Sequence, residues 1–112
     1  MKKHFLSLVM ILAMTLNTTA EYKDFARKLV TAKEFPCLVK LWTKESNWRF
    51  KAKSPTNDYG IPQRNMPRHS KKQIKKFRSS PIEQIEWGVG YIRHRYGNAC
   101  KALDHHLRRN WY

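Results

Sequence analysis

The sequence predicts a mainly α-helical protein with a single domain, and three observations support this fold class. Apolar residues recur at helical spacing in several segments, whereas no segment alternates polar and apolar residues as a half-buried strand would. Residues 47–68 contain three prolines and one glycine, which favours an irregular loop or a small hairpin. The length of the chain suits one domain with one modest core.

The first twenty residues are expected to form a signal peptide rather than part of the fold. A basic start at Lys2 and Lys3 precedes an apolar stretch over residues 5–16, which is too short to span a bilayer comfortably. Small residues ending at Ala20 suit cleavage, so the expected domain spans residues 21–112. The protein is then expected to be secreted or periplasmic. An uncleaved N-terminal anchor is the alternative.

Three helices are predicted before the last third of the chain. The spacing of apolar residues predicts a first helix over about 22–34. Pro36 fits the first turn of a second helix, which ends near Ser46. The strongly basic segment Lys71–Arg78 predicts a short helix with a solvated face.

The fourth predicted helix has clear start and stop signals. Ser80 is a capping residue, Pro81 fits the first turn, and Glu83 can bond back to the cap. An apolar stripe follows, and Gly97 ends the helix. A last helix is expected to direct three residues inward: Cys100, Leu103 and Leu107.

Two sequence-wide features concern the compartment and the partners. Cys37 and Cys100 are the two cysteines, and an even number in an exported protein indicates a disulfide, with two free buried thiols as the alternative. The formal net charge is +15, which attracts polyanions. Nucleic acid is the usual inference from such a charge, but an exported protein also meets cell-wall polymers, envelope lipids and extracellular DNA. General solvation is the simpler explanation of the charge.

Glu45 is the candidate catalytic residue. It continues a stripe formed by Leu38, Leu41 and Trp42 at the spacing of one helix face. Burial on this face, together with the negative end of the helix dipole, disfavours the ionised carboxylate. Glu45 is therefore expected to remain protonated near neutral pH and to act as a proton donor. The alternative is a surface glutamate at a fraying helix end.

Other patterns of catalytic residues are weaker. The adjacent His105 and His106 point about 100° apart on a helix, and no histidines have the spacing of metal ligands, so neither a metal nor a cofactor is expected. Glycoside hydrolysis usually needs two carboxyl groups, and Asp58 and Asp104 are candidates for the second. Four aromatic residues have the right character to stack on sugars: Trp48, Tyr59, Trp111 and Tyr112.

Three motifs in order give the chain a family resemblance over roughly residues 35–112. They are Glu45-Ser46, then Gly60-Ile61-Pro62-Gln63 with Met66-Pro67, then Gln84-Ile85 with Gly88 and Tyr91-Ile92. With these motifs the chain resembles the lytic transglycosylase domain of the soluble lytic transglycosylase and goose-type lysozyme superfamily, in its small secreted form. One segment departs from the family pattern, since Ala102-Leu103-Asp104 stands where many members have Ala-Tyr-Asn.

The resemblance implies a lysozyme-like helical fold and cleavage of the β-1,4 bond between N-acetylmuramic acid and N-acetylglucosamine in peptidoglycan. Glu45 would protonate the leaving oxygen and then act as a base while the sugar's own C6 hydroxyl closes a 1,6-anhydro ring. Tyr91 or Tyr112 would substitute for the missing tyrosine. The residues expected to bind substrate are Ser46, Trp48, Tyr59, Gly60, Gln63, Tyr91 and Tyr112.

The expected partners are peptidoglycan strands and anionic wall polymers, and the protein is expected to be a monomer. Two other functions remain open from the sequence. One is a hydrolytic lysozyme that uses water as nucleophile, with Asp58 or Asp104 as the base. The other is a non-catalytic, cationic protein that binds the cell wall or DNA on the same scaffold.

Overall fold

The structure, a computed structural model, describes residues 15–112 and is mainly helical over that range, as the sequence predicts. A two-stranded hairpin lies between the second and third helices. The described elements are α1 (Thr19–Arg27), α2 (Phe35–Ser46), β1 (Asp58–Tyr59), β2 (Arg64–Asn65), α3 (Lys71–Arg78), α4 (Pro81–Tyr96) and α5 (Ala99–Arg109). Among the described residues, no helix has both the length and the apolar character needed to cross a membrane.

Helix α1 differs from the predicted range of about 22–34 at both ends. It begins earlier because Thr18 and Glu21 form a capping box, in which each side chain bonds to the other residue's backbone N–H. It ends at Arg27, and the following turn leads to Thr31, whose hydroxyl donates to Glu34 at the start of α2. Residues 1–14 of the predicted signal peptide lie outside the described residues, and the predicted cleavage site after Ala20 falls within α1.

Helix α2 carries the central apolar face of the domain. Pro36 lies in its first turn, and Asn47 ends it in the left-handed conformation with a φ of 55°. Leu38, Leu41 and Trp42 are completely buried against the other helices. This confirms the predicted helix and the direction of its apolar stripe.

Helix α4 forms the opposite wall of the core. Ser80 caps it by accepting a hydrogen bond from the Glu83 N–H at 3.1 Å, and Gly97 ends it with a φ of 91°. Gly88 permits the close approach of α2, because a Cβ at this position would lie 2.5 Å from the Trp42 ring. The buried residues of its apolar stripe are Ile85, Val89 and Ile92.

Helix α5 packs against α2, and the predicted disulfide joins them. Cys37 and Cys100 are bonded, with their Cα atoms 5.0 Å apart. The prediction that Leu107 faces inward is wrong, since Leu107 is 61% exposed. The buried face contains Ala99, Ala102, Leu103 and His106, which follow the helical spacing i, i+3, i+4 and i+7.

Candidate active site

Glu45 lies in the last turn of α2, where the helix meets the loop that leads to the hairpin. Its side chain is only 15% exposed, because it continues the buried face of the helix. It opens into a cavity of about 440 Å³ on the loop side of α2. The other residues that line this cavity are Arg49, Lys51, Ala52, Lys53, Ser54 and Gln63.

His106 is the direct partner of Glu45. Its Nε2 atom lies 2.6 Å from Glu45 Oε2, and its side chain is 10% exposed. His106 was not predicted as a site residue, because the histidines were weighed only as metal ligands. The signal was nevertheless present, since His106 continues the apolar spacing that Ala99, Ala102 and Leu103 define on α5.

The electrostatics of this pair favour uncharged groups. Burial, with a smaller contribution from the negative charge of Asp58, raises the pKa of Glu45 to about 7. Burial and the positive charges of Lys44 and His105 lower the pKa of His106. Because burial disfavours both the imidazolium and the carboxylate, the environment of the short contact favours a hydrogen bond between a protonated carboxyl and a neutral imidazole over an ion pair.

Gln63 is fixed in the turn that faces Glu45 across the cavity. Its Nε2 donates to the Gly60 carbonyl at 3.0 Å, and its own backbone has a positive φ of 55°. Gly60 adopts a φ of 79°, and a Cβ there would lie 2.4 Å from Gln84 Oε1. The glycine of the predicted motif is thus required both by its backbone conformation and by the close approach of Gln84.

A second cavity, of about 170 Å³, lies on the other side of Gln63, which lines both cavities. The rings of Trp87 and Tyr91 stack there with their centroids 5.1 Å apart. The residues that line it are Asp58, Pro62, Gln63, Asn65, Trp87, Tyr91 and Tyr112. The two cavities place Glu45, Gln63 and Tyr91 along one side of the domain.

Three residues that were expected to bind substrate lie mainly in the core. Ser46 Oγ donates to the Ile61 carbonyl at 2.7 Å, and Trp48 packs edge-on against Trp42 with centroids 5.2 Å apart. Tyr59 is 5% exposed, beneath the guanidinium of Arg78. These contacts hold α2 and the hairpin in place. Ser46 and Trp48 therefore support the cavities from the core, whereas Tyr59 also lines a third cavity, described below.

Tyr112 is anchored inside the domain by two hydrogen bonds. Its hydroxyl donates to the Pro62 carbonyl at 2.7 Å and accepts from Trp42 Nε1 at 2.9 Å. Burial, followed by the nearby charge of Glu45, raises the pKa of Tyr112 well above its usual value. Tyr112 therefore stays a neutral phenol that ties the end of the chain to the turn before Gln63.

The other candidate carboxylates have different environments. Asp58 accepts hydrogen bonds from Ser54 and Thr56 at 2.6 Å each and from Asn65 at 2.9 Å, so both its oxygens are occupied. Asp104 is 67% exposed and pairs with Arg108. Since residues two apart on a helix point about 200° apart, Asp104 projects away from the face on which His106 meets Glu45.

A third cavity, of about 610 Å³, forms a basic groove on the side of α3. Its lining includes four cations, Lys51, Lys71, Lys75 and Arg78, and no carboxylate. Lys51 also lines the Glu45 cavity, so positive side chains extend from one cavity to the other. Within residues 15–112, no three histidine, cysteine or acidic side chains come close enough to hold a metal ion.

Comparison with protein families agrees with this architecture. The family model described as the Transglycosylase SLT domain matches residues 26–108, a range that includes α2, the hairpin and α4. Searches of curated proteins and of solved structures give no significant match. The family match covers most of the chain, and the sequence motifs at Glu45, Gly60 and Gln84 all fall within it. The chain therefore belongs to the transglycosylase SLT domain family and has a lytic transglycosylase-type function in general.

Proposed function

We propose that this protein is a peptidoglycan lytic transglycosylase that cleaves the β-1,4 bond between N-acetylmuramic acid and N-acetylglucosamine and releases 1,6-anhydromuramoyl products. The observation that carries the proposal is the state of Glu45. It is a largely buried carboxyl at a cavity wall, and its pKa is raised to about 7. Such a group is about half protonated at pH 7, so a large share of the protein holds the proton that a general acid for glycoside cleavage must donate.

The reaction needs Glu45 in two successive roles. It first gives its proton to the glycosidic oxygen as the C1–O bond breaks. The resulting carboxylate then takes the proton of the C6 hydroxyl as that oxygen bonds to C1 of the same sugar. Glu45 gives away one proton and receives one, so it ends the cycle protonated as it began. No water molecule is consumed.

The surroundings of Glu45 favour this route over hydrolysis. An inverting hydrolase needs a second carboxylate that is free to activate water, and a retaining one needs a carboxylate nucleophile. Asp58 already accepts three side-chain hydrogen bonds, and Asp104 points away from the cavity. An internal hydroxyl as the nucleophile makes a second carboxylate unnecessary.

The disulfide and the surface charge both support a location at the cell wall. The disulfide is typical of oxidising compartments, so we infer that the protein acts outside the cytoplasm, in the periplasm or after secretion. Peptidoglycan carries carboxylates, and Gram-positive walls add anionic polymers. The four cations of the basic groove and the overall charge of +15 complement such a surface. Gln63, which lines both the Glu45 cavity and the second cavity, and Tyr91, which lines the second, are proposed to contact the glycan.

The test is the replacement Glu45→Gln, which keeps the size of the side chain and removes its acid and base functions. Activity on purified peptidoglycan is expected to fall by about 10²–10⁴-fold, as for loss of a general acid–base group. Glu86→Gln, on the exposed side of α4, is the matched control and is expected to retain wild-type activity. Circular dichroism checks that both variants remain folded.

Mass spectrometry of the products separates the alternatives. Anhydro-muropeptides from the wild-type protein, lighter by one water than lysozyme products, support the proposal. Products with reducing ends would instead assign a hydrolase, with Asp58 as the first residue to test as the base. Wall binding without cleavage, unchanged by Glu45→Gln, would identify a non-catalytic binding protein.

A further inference from the structure

We propose that His106 is the positioning residue of Glu45: its Nε2–H donates to Oε2, leaves Oε1 to carry the catalytic proton, and stabilises the carboxylate that forms when this proton departs. The inference deepens the proposed function and rests on it. His106 touches Glu45 rather than the reacting sugar, so it acts through the acid.

The geometry of the pair carries the proposal. The two atoms are 2.6 Å apart, and both side chains are largely withdrawn from solvent. A short hydrogen bond between buried groups fixes the orientation of the carboxyl much more firmly than a contact at the surface. His106 lies on the rigid face of α5, and the disulfide between Cys37 and Cys100 ties that helix to α2, which carries Glu45.

The proton inventory explains why a neutral imidazole is suited to this role. Before the reaction Glu45 holds one proton on Oε1, and the imidazole holds its own proton on Nε2. When the Oε1 proton goes to the glycosidic oxygen, the new carboxylate accepts the existing Nε2–H bond, which becomes charge-assisted and stronger. The C6 hydroxyl then returns a proton to Glu45, and His106 remains neutral throughout.

Other charged groups act on the pair from each neighbouring element. Asp58 on the hairpin opposes ionisation of Glu45, while Lys44 on α2 and His105 on α5 oppose protonation of His106. The ionisable groups facing the pair from the adjoining loop and from the end of the chain are Arg49, Lys51, Lys53 and Tyr112. These groups remain in the variants below, so a change in titration reports the lost hydrogen bond.

The sign of the expected pH effect follows from the donor. An N–H that bonds to the carboxylate favours the charged form, so its removal raises the pKa of Glu45 further. In His106→Leu, the alkaline limb of the pH–rate profile is therefore expected to move to higher pH. The maximal rate is expected to fall about tenfold to a hundredfold, the range for one hydrogen bond to a charged group. His106→Gln places an amide N–H near the position of Nε2 and is expected to restore both properties in large part.

The decisive measurement does not require activity. The carboxyl carbon of Glu45 is followed by ¹³C NMR from pH 4 to 9 in the wild type, His106→Leu and His106→Gln. His94→Leu is the matched control, because His94 is exposed on α4 and makes no side-chain hydrogen bond or ion pair among the described residues. A midpoint that moves to higher pH in His106→Leu alone supports the proposal, whereas an unchanged or lower midpoint overturns it.

Two further readouts keep the test decisive if His106→Leu fails to fold. In the wild type, ¹⁵N NMR is expected to show the proton of His106 on Nε2, and a proton on Nδ1 instead would overturn the proposal. His106→Asn, whose shorter amide does not reach Oε2, is expected to show the raised midpoint, and a wild-type midpoint in this variant would overturn the proposal. A different outcome is that the wild-type protein releases no anhydro-muropeptides although the Glu45 midpoint shifts as expected in the variants. That combination would refute the proposed function and leave the hydrogen bond established.

Discussion

Replacement of Gln84 by leucine is expected to destabilise the domain severely, even though the two side chains have nearly the same volume. Gln84 lies on α4 and is completely buried. Its Oε1 accepts from the Ile61 N–H at 2.8 Å, and its Nε2 donates to the Phe50 and Phe77 carbonyls at 3.0 Å each. One amide thus joins the turn before Gln63, the loop after α2 and the end of α3.

The magnitude follows from the groups that leucine would leave without partners. The Ile61 N–H and the Phe50 carbonyl lose their hydrogen-bond partner, whereas the Phe77 carbonyl keeps the N–H of Ser80 at 3.4 Å. Each buried unsatisfied group costs about 1–3 kcal/mol. With partial relaxation, the free energy of unfolding is expected to fall by about 2–5 kcal/mol, a large share of the roughly 5–15 kcal/mol available to a natural domain. Gln84→Glu keeps an acceptor for Ile61 but loses both donors when ionised, so its stability is expected to improve as the pH is lowered.

Urea unfolding followed by circular dichroism measures the loss. For an m value of about 1.5 kcal/mol/M, a loss of 3 kcal/mol lowers the midpoint by about 2 M. Gln63→Leu is the control, because among residues 15–112 the Gln63 side chain makes a single hydrogen bond, to the Gly60 carbonyl. The loss of this bond is expected to cost less than about 1.5 kcal/mol. Equal midpoints for Gln84→Leu and Gln63→Leu would refute the argument that the buried amide holds these segments together.

Two further predictions concern the disulfide and the surface charge. The bond between Cys37 and Cys100 links residues that are 63 positions apart in the sequence. Replacement of both cysteines by serine is therefore expected to lower the free energy of unfolding by about 4 kcal/mol in the chain-entropy model. Equal melting temperatures for the oxidised wild type and the variant would contradict this. Binding to isolated cell walls is expected to weaken steeply between 0.05 and about 0.5 M salt, as the screening length falls below about 8 Å. Salt-independent binding in a sedimentation assay would instead assign the affinity to the second cavity, which contains the stacked rings of Trp87 and Tyr91.

The helical framework could be predicted from sequence because its signals are local. Pro36 and Pro81 lie in the first turns of their helices. Asn47 and Gly97 end helices by adopting a positive φ. The boundaries of α1 were less predictable, because apolar spacing continues beyond Arg27 while the backbone turns toward α2. Position along the chain alone does not reveal where tertiary packing ends a helix.

The inward face of α5 could not be read as easily, because two patterns compete there. Cys100, Leu103 and Leu107 give one apolar line, whereas Ala99, Ala102, Leu103 and His106 give another, and Leu103 belongs to both. Packing selects the second, since the small alanines allow α5 to approach α2 closely and the imidazole meets a buried carboxyl. The sequence does not show which group a histidine on an apolar helix face contacts. The fold shows that the contact is with Glu45.

The contact between His106 and Glu45 also bears on the departure from the family pattern at Ala102-Leu103-Asp104. The hydroxyl of Tyr112, one of the two tyrosines expected to substitute for the missing one, bonds to the Pro62 carbonyl and to Trp42 Nε1. Tyr91 stacks on Trp87 in the second cavity, on the other side of Gln63 from the Glu45 cavity. Of the described side chains, His106 is the one that forms an ion-pair or hydrogen-bond contact with the Glu45 carboxyl. A helix in which Leu103 replaces tyrosine therefore still provides a polar partner for the acid, from a position one turn later on the same face.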